Sequence, residues 1–428
     1  MQLTHKIALS PTESQIKYFY QASGTARKVW NWALGEWKRQ YEAGLKPNGM
    51  ALKKQFNEIK YELYPWLREM HRDSHSQPFT NLQKAWQSFF SSLKSKKPAY
   101  EPKFKKKGKA RDSFYVANDK FKIEGLEVKL PKVGKVRLTE PLRFPGKILG
   151  ATVSRTAHRW FISIQVEVID AIALKKRTSN DVVGVDLGLT AAATLSNGKQ
   201  FQSPKPLKKA LRRLKIRGRS LSRKKITVVD NIVQKKAPSN NRKKSSLKLA
   251  RLHARIVNLR ADFTHKLTTQ LCRENQVIVI EDLNVKGMMA NHKVARAMND
   301  VGFYTIRQQL EYKAKRYQNN LIIAERWYPS SKLCSNCGWY YEALTLKERT
   351  WQCSSCHVVH NRDINAALNL KRLATLTALP VANQSVTKDT MLGMVSNRVG
   401  KVTSVSYECG LKDASGQKEN REHFCSHF

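Results

Sequence analysis

The stretch C-S-N-C (334–337), followed after a fifteen-residue gap by C-S-S-C (353–356) and then by H-N-R-D-I-N (360–365), decides the fold of this chain. Two C-x2-C turns at this spacing are typical of a zinc ribbon, in which Cys334, Cys337, Cys353 and Cys356 bind one structural Zn2+ in a tetrahedron. Asp363 follows seven residues after the last cysteine. Because two further acids end apolar runs earlier in the chain, the pattern predicts a ribbon inserted into a nuclease domain.

The charge of the chain indicates the chemical class of its partner. Its 428 residues leave room for two or three domains, and Lys and Arg number 78 against 33 Asp and Glu, a formal net charge of +45. Ordinary soluble domains lie within roughly ten charges of neutrality. We therefore expect nucleic acid as the partner, because phosphates neutralise the excess and each contact also releases counterions.

The cysteines outside the ribbon indicate the compartment. Cys272 lies in an apolar-periodic helix and is predicted to be a buried thiol, whereas Cys409 and Cys425 fall in a polar tail. This pattern is unlike a secreted disulfide framework, so a reducing prokaryotic cytoplasm is expected, with the protein at the nucleoid when it binds DNA. We expect neither a signal peptide nor a membrane span, because no run approaches eighteen apolar residues.

The first part of the chain alternates between β and helical patterns. Gln2–Leu9 is predicted to be a strand, and Ser10, Pro11 and Glu13 to start a helix as N-cap, first-turn proline and capping-box acid. A helical lobe (11–93) follows, with Trp30, Trp32, Trp37, Trp66 and Trp86 assigned to its core. A basic linker and four β segments complete a small antiparallel β-barrel (1–10 and 94–170) into which the lobe is inserted.

The second part places strands first and then alternates strand and helix, which predicts a mixed α/β sheet. A helix is expected over 241–274, a strand over 276–280, and further helices over 296–318 and 361–376. The nuclease domain would cover 181–327 and 360–378, the ribbon 328–359, and a disordered tail 379–428.

Three acids lie where a catalytic site would form. Asp186 ends the apolar run VVGV, Glu281 ends QVIVI, and Asp363 begins the helix after the ribbon. An ionised carboxylate at the end of a buried strand is costly unless a cation or donor meets it. Three converging carboxylates can hold two Mg2+ ions about 4 Å apart for phosphodiester hydrolysis. Each acid alone could instead be a cap or turn residue, and Asp282 could replace Glu281, because strand parity does not choose between neighbours.

Basic stretches that could bind phosphate lie at 103–109, 205–225 and 242–260. The first is a glycine-punctuated linker beside Phe104 and Phe114, a mixture that suits backbone contacts with some stacking. The candidates for nucleic-acid contacts are Lys103, Lys105, Lys106, Lys107, Arg223 and Lys224. The alternative is an ordinary solvated helix face.

Seven runs of this sequence, in order, resemble the TnpB family: G-V-D-L-G (184–188), S-L-S-R-K-K (220–225), D-F-T-H-K-L-T-T (262–269), V-I-V-I-E-D-L (277–283), Q-L-E-Y-K-A (309–314), Y-P-S-S-K-L-C-S-N-C-G (328–338) and H-N-R-D-I-N-A-A-L-N (360–369). That family is encoded by insertion sequences, is often described as OrfB transposase, and is regarded as ancestral to type V CRISPR effectors. The resemblance implies a multidomain α+β protein: a wedge-like barrel with an inserted helical recognition lobe, then a RuvC-like, RNase H-type α/β domain with an inserted zinc ribbon.

The resemblance also implies the activity and the roles of residues. The chain would be an RNA-guided, Mg2+-dependent DNA endonuclease that uses a transposon-encoded guide RNA and cuts double-stranded DNA beside a short flanking motif. Apart from the resemblance, we expect a monomer. The catalytic acids fall on Asp186, Glu281 and Asp363, and Glu281 is favoured over Asp282 because family members carry Glu, a variable residue and Leu. One departure is Asn361, where relatives often carry an acid.

Guide pairing would carry most of the sequence information, and the helical lobe with the barrel would recognise the flanking motif. Candidates for that contact are Ser76, Gln77 and Asn81, with ordinary helix-surface side chains as the favoured alternative. Three other functions stay open: a nuclease-inactive, guide-dependent DNA-binding repressor, a cut-and-paste transposase, and a zinc-stabilised RNA-binding protein with incidental acids. The presence of all three acids weighs against the repressor.

Overall fold

The structure is a computed structural model that describes residues 1–95, 98–168, 181–224, 226–229, 232–235, 239–345 and 347–377. The predicted tail, with Cys409 and Cys425, lies outside these residues. Packing divides the chain into two compact units, Met1–Lys176 with Lys205–Asp262, and Arg177–Pro204 with Phe263–Phe428. The sequence assigns 205–262 to the nuclease domain, whereas these residues cluster with the first unit. The finer domain boundaries stay a prediction.

The elements are numbered in chain order. The helices are α1 Glu13–Glu42, α2 Gly49–Leu63, α3 Arg72–Lys94, α4 Pro206–Arg223, α5 Asn240–Glu274, α6 Val285–Ala290, α7 His292–Val301, α8 Phe303–Tyr317 and α9 Arg362–Thr377. The strands are β1 Gln2–Ser10, β2 Ser113–Ala117, β3 Lys122–Glu124, β4 Glu127–Leu130, β5 Gly134–Leu138, β6 Lys147–Thr156, β7 Arg159–Glu167, β8 Val182–Asp186, β9 Ala193–Leu195, β10 Gln200–Phe201, β11 Ile226–Val229, β12 Ile232–Lys235, β13 Val277–Glu281, β14 Asn320–Ala324, β15 Thr350–Gln352 and β16 Val359–Asn361.

Seven antiparallel strands form the sheet of the first unit, in the order β2-β6-β7-β1-β5-β4-β3. Alternate residues of β7, among them Ile162, Ile164 and Val166, are fully buried in its core. The helices α1 to α3 are inserted between β1 and β2. Among the described pairings β2 and β3 are the end strands, so closure into a barrel stays a prediction.

The start of α1 differs from the prediction. Ser10 still pairs with Arg137 as the last residue of β1, so it cannot cap the helix. Thr12 is the N-cap instead, and its side chain and that of Gln15 bond reciprocally to each other's backbone N–H groups. The run T-E-S-Q (12–15) provides the same capping box two residues later.

The helical lobe packs around aromatic side chains. Trp30, Trp37 and Trp86 are buried, and the rings of Trp37 and Trp86 stack with centroids 5.5 Å apart. Trp32 packs against this cluster while partly exposed. Trp66 is 42% exposed, so its assignment to the core was wrong. It lies in the 3-10 turn Pro65–Glu69, outside the three packed helices.

A five-stranded mixed sheet forms the second unit, in the order β10-β9-β8-β13-β14. The strands β8, β13 and β14 run parallel, and β9 and β10 continue from β8 as antiparallel neighbours. This is the mixed α/β sheet that the sequence predicts. The helix predicted over 296–318 is broken into α7 and α8 at Gly302, whose φ of 81° favours glycine.

The predicted buried thiol of Cys272 is confirmed at 3% exposure. Within the described part of the chain, no helix has both the length and the apolar character needed to span a bilayer.

Candidate active site and nucleic-acid interface

Two of the predicted acids end neighbouring parallel strands. Asp186 is the last residue of β8 and Glu281 the last of β13. The register sets Ile280 opposite Val185, so the next residues along both strands are the two acids. Because parallel strands end at the same edge of a sheet, both acids lie at that edge.

The third acid arrives on α9, which packs directly on β8. A Cβ built at Gly184 would lie 1.9 Å from the carbonyl oxygen of Ala367 and 2.5 Å from the backbone nitrogen of Lys371. Only glycine permits this close approach of helix and strand. Asp363 in the first turn of α9 is thereby brought beside Asp186, whose pKa it perturbs.

The start of α9 explains the departure at Asn361. Its Oδ1 accepts the backbone N–H groups of Asp363 at 3.1 Å and Ile364 at 3.2 Å, so it caps the helix. Asparagine and aspartate cap helices about equally well. The substitution therefore leaves the presentation of Asp363 intact.

Asp186, Glu281 and Asp363 are here called the carboxylate cluster, because the charges of Glu281 and Asp363 both act on Asp186. Burial raises the pKa of Asp186 well above its ordinary value, the charges of the other two acids raise it further, and Arg362 and Arg349 offset part of the effect. Burial also raises the pKa of Glu281. A divalent cation offsets such repulsion, so three carboxylates suit the predicted Mg2+ ions by their donor chemistry, although their oxygens do not all lie within 4.8 Å of one another.

Two side chains missed by sequence reasoning contact the carboxylate cluster. The Ser330 hydroxyl donates to Glu281 at 2.5 Å, and the guanidinium of Arg349 pairs with Asp363 at 3.3 Å. Ser330 belongs to the quoted run Y-P-S-S, which was a usable signal. Arg349 lies between the two cysteine pairs, where the sequence carries no pattern that points to the acids.

Asp282 does not join the carboxylate cluster. Its two carboxylate oxygens are bonded by Arg307 and by Arg326, the latter at 2.7 Å. Burial raises the pKa of Asp282, but the hydrogen bonds and charges of these arginines outweigh it and hold that pKa below its ordinary value. The geometry thus favours Glu281 as the candidate ligand.

The four ribbon cysteines lie together as the spacing predicts. Their sulfurs are all within 4.8 Å of one another, and the pairs Cys334–Cys356 and Cys337–Cys353 are each 3.6 Å apart. A tetrahedral ion with Zn–S bonds of about 2.3 Å needs sulfurs about 3.8 Å apart. Among the described residues this is the one group of three or more Cys, His, Asp or Glu side chains gathered so closely. The arrangement fits one zinc ion.

His360 lies beside the group of four cysteines. Its Nε2 is 3.0 Å from the sulfur of Cys334, and its ring packs on Trp351 with centroids 4.8 Å apart. A ring N–H donated to a thiolate orients that ligand. His357 follows the second pair of cysteines, and its backbone N–H donates to the carbonyl of Cys353 at 2.9 Å.

Three of the predicted nucleic-acid contacts meet in one cleft of the first unit. Gln77, Asn81 and Lys105 line this cleft of about 120 Å³, together with Arg27 and Arg111. The amide of Gln77 donates to Asn81 at 3.3 Å. Ser76 lies on the same helix, α3, but does not line the cleft.

The remaining basic candidates differ in solvent exposure and in their contacts within the protein. Lys103, Lys106 and Lys107 are exposed. Lys105 instead lies with Nζ 3.5 Å from the ring centre of Trp30, and burial lowers its pKa to about 8. The side chain of Asn31 donates to the carbonyl of Lys105 and accepts from the backbone N–H of Lys105. Lys105 therefore anchors the linker.

The last pair lies at the end of α4. Arg223 is exposed, whereas the Nζ of Lys224 bonds to the hydroxyl of Ser220 at 2.9 Å. The described contacts do not bring this pair together with the cleft.

Comparisons with known proteins match most of the chain. Three family models match, described as "Probable transposase" of the OrfB_IS605 type (residues 161–292), "Cas12f1-like, TNB domain" (303–370) and the "Helix-turn-helix domain" of OrfB_IS605 (1–46). A Streptomyces pristinaespiralis protein named "Putative RNA-guided DNA endonuclease" is 36% identical over 371 residues, 85% of this chain and 87% of that protein. Escherichia coli "Putative RNA-guided DNA endonuclease InsQ" is 30% identical over 383 residues, 85% of this chain and 90% of that protein.

Among solved structures, CasPhi-2 (Cas12j) bound to crRNA aligns with 87% of this chain and 98% of its own, at 13% identity and a TM-score of 0.41.

Proposed function

This chain belongs to the TnpB family of insertion-sequence proteins, and we propose that it is a transposon-associated, RNA-guided DNA endonuclease whose carboxylate cluster binds divalent cations. The observation that carries the proposal is the meeting of Asp186 and Glu281 at adjacent strand ends, with Asp363 delivered by a helix packed on the same strand. We further propose that this sheet with α9 is the RuvC-like domain.

Each side chain of the proposed site would have its own role. Two Mg2+ ions, when bound, would activate water and stabilise the leaving oxygen of the phosphodiester. Asp186 supplies a desolvated carboxylate whose charge is costly without a cation. Ser330 holds the Glu281 carboxylate in one orientation, and Arg349 offsets the charge of Asp363. The ribbon cysteines would hold one structural zinc.

The first unit would supply much of the grip on nucleic acid. Exposed Lys103, Lys106, Lys107 and Arg223 suit contacts to phosphates of a guide RNA or a target DNA duplex. The cleft lined by Gln77 and Asn81 offers amides that pair with base edges, and would recognise the flanking motif beside the target. The protein would act as a monomer.

The proposal is tested by co-purifying the protein with its RNA, sequencing that RNA, and adding matched double-stranded DNA with Mg2+. We expect cleavage that falls to background in Asp186→Ala and Glu281→Ala. Asp282→Ala is the matched control, and it should keep measurable cleavage because Asp282 binds arginines instead of the carboxylate cluster.

RNA-dependent DNA binding without cleavage in the unaltered protein would favour the repressor instead. A preparation that contains only random short RNAs would contradict guided recognition.

A further inference from the structure

A carboxamide on α9 holds the chain where it enters the zinc ribbon. The Nδ2 of Asn365 donates to the carbonyl of Leu333 at 2.7 Å, and its Oδ1 accepts the N–H of Ser335 at 2.9 Å. Leu333 and Ser335 are the chain neighbours of Cys334. One side chain therefore straddles the first of the four cysteines.

A second carboxamide, one turn further along α9, holds the same segment. The Nδ2 of Asn369 donates to the carbonyl of Leu333 at 2.7 Å and to that of Ser330 at 2.8 Å. Asn365 and Asn369 are each 1% exposed. Asparagine is a poor residue for a helix interior, so two buried asparagines four residues apart need a tertiary reason, and these carbonyls supply it.

Ser330 extends this contact to the carboxylate cluster. Its carbonyl accepts from Asn369, while its hydroxyl donates to Glu281 at 2.5 Å. Asp363 lies on the same helix, two residues before Asn365. The first cysteine turn is thus joined by direct hydrogen bonds to the helix that carries one acid and to the residue that holds another.

We propose that Asn365, Asn369 and Ser330, here called the ribbon clamp, are positioning residues that couple the zinc ribbon to cation binding at the carboxylate cluster. The inference rests on the proposed function, because it takes that cluster as the cation site. A rigid cysteine turn fixes the two carbonyls that the asparagines bind, which fixes α9 and Glu281. When the turn loosens, the acids lose their common geometry.

The test uses full-length, zinc-loaded protein and two measurements besides cleavage. Zinc release is followed with a coloured chelator, and Mn2+ binding by electron paramagnetic resonance, with Asp186→Ala subtracted as the blank. Asn365→Asp and Asn369→Asp remove the Nδ2 donors. Asn320→Asp makes the same chemical change at an exposed position and is the control. We expect both clamp variants to release zinc roughly tenfold to hundredfold faster and to bind Mn2+ more weakly, as losses of outer-sphere partners do.

Coupling between the ribbon and the carboxylate cluster can be told apart from a general loss of rigidity by measuring Mn2+ binding with and without zinc. In unaltered protein, removing zinc should weaken Mn2+ binding by about tenfold, whereas in Asn369→Asp it should add little further weakening, because the connection is already broken. Ser330→Ala should release zinc at the unaltered rate yet bind Mn2+ more weakly, since the hydrogen bond that the structure describes for its hydroxyl goes to Glu281.

The inference is overturned if the clamp variants match Asn320→Asp in both measurements, or if zinc removal weakens Mn2+ binding equally in unaltered protein and Asn369→Asp. If Asn369→Asp does not fold, Asn365→Asp and Ser330→Ala decide by the same criteria. A failure of the proposed function looks different: unaltered protein then shows no Mn2+ binding that depends on Asp186, and the coupling falls with it.

Discussion

Replacing Gly184 by alanine tests whether the packing of α9 on β8 positions Asp363. The added Cβ would lie 1.9 Å from the carbonyl oxygen of Ala367, and ordinary contact begins at 3.4 Å, so α9 must move away from β8 by about 1.5 Å. The neighbouring atoms are backbone atoms, which cannot rotate aside. Asp363 starts the same helix and must move with it.

Two magnitudes follow from that displacement. Overpacking of this kind costs about 1–3 kcal/mol of unfolding free energy. Misplacing a catalytic group by about 1 Å can cost about 100-fold in rate. We therefore expect Gly184→Ala to remain folded with a lower melting temperature, and to cleave guide-matched DNA about 100-fold more slowly in single-turnover assays.

Gly218→Ala is the matched control for that variant. Gly218 lies within α4, and an added Cβ there meets nothing within 4 Å. This change should raise stability by about 0.5–1 kcal/mol and leave cleavage unchanged. Retained RNA is measured for both variants to confirm loading. If Gly184→Ala cleaves and melts like the unaltered protein, the argument that α9 positions Asp363 is refuted.

Four further predictions concern metal, pH and salt. Cys334→Ser with Cys337→Ser should remove zinc and abolish efficient cleavage; unchanged cleavage at zero zinc content would contradict the coupling of ribbon and site. Burial and the neighbouring acids raise the pKa of Asp186, so without Mg2+ the folded state should lose stability as pH rises above the ordinary value of 3.8; Asp186→Asn should flatten this dependence in thermal melts. Burial lowers the pKa of Lys313 to about 8, so its contribution to stability should rise with pH from about 8 towards the ordinary value of 10.5; melts of Lys313→Met should show a smaller rise, because Lys105, whose pKa is also lowered to about 8, keeps its own contribution. Lys106→Ala should reduce the slope of log affinity against log salt by about 0.7–0.9 in RNA-binding titrations, and an unchanged slope would remove this residue from the interface.

Local patterns predicted the features that depend on neighbouring residues. The cysteine pairs, the apolar runs that end in Asp186 and Glu281, and the helix after the ribbon each follow from spacing or periodicity. The choice between Glu281 and Asp282 was open on parity alone, and the structure favours Glu281 as the candidate because Arg307 and Arg326 bond Asp282. The run Y-P-S-S marked the position of Ser330, but its hydrogen bond to Glu281 could not be predicted, because 49 residues separate the two in sequence.

Other differences arose where two local signals competed. Both Ser10 and Thr12 can start a capping box, and the pairing of Ser10 with Arg137 settles which one does. Lys105 was grouped with its exposed neighbours, yet Trp30 and Asn31 bind it internally. Neither outcome is encoded within a few residues of the position concerned.

The helical lobe is inserted between two strands of one sheet, so it can be replaced as a unit by the lobe of a relative. Entry through β1 and exit through β2 return the chain to the same scaffold, so lobes of different length can be accommodated between fixed ends. Hydrogen bonds nevertheless fix the lobe where it joins the sheet. The hydroxyl of Tyr18 lies 3.0 Å from Nδ1 of His71, and Nε2 of His71 lies 3.0 Å from the carbonyl oxygen of Tyr115 on β2. A chimaera that transplants a relative's lobe should therefore keep Tyr18 and His71 as its graft points.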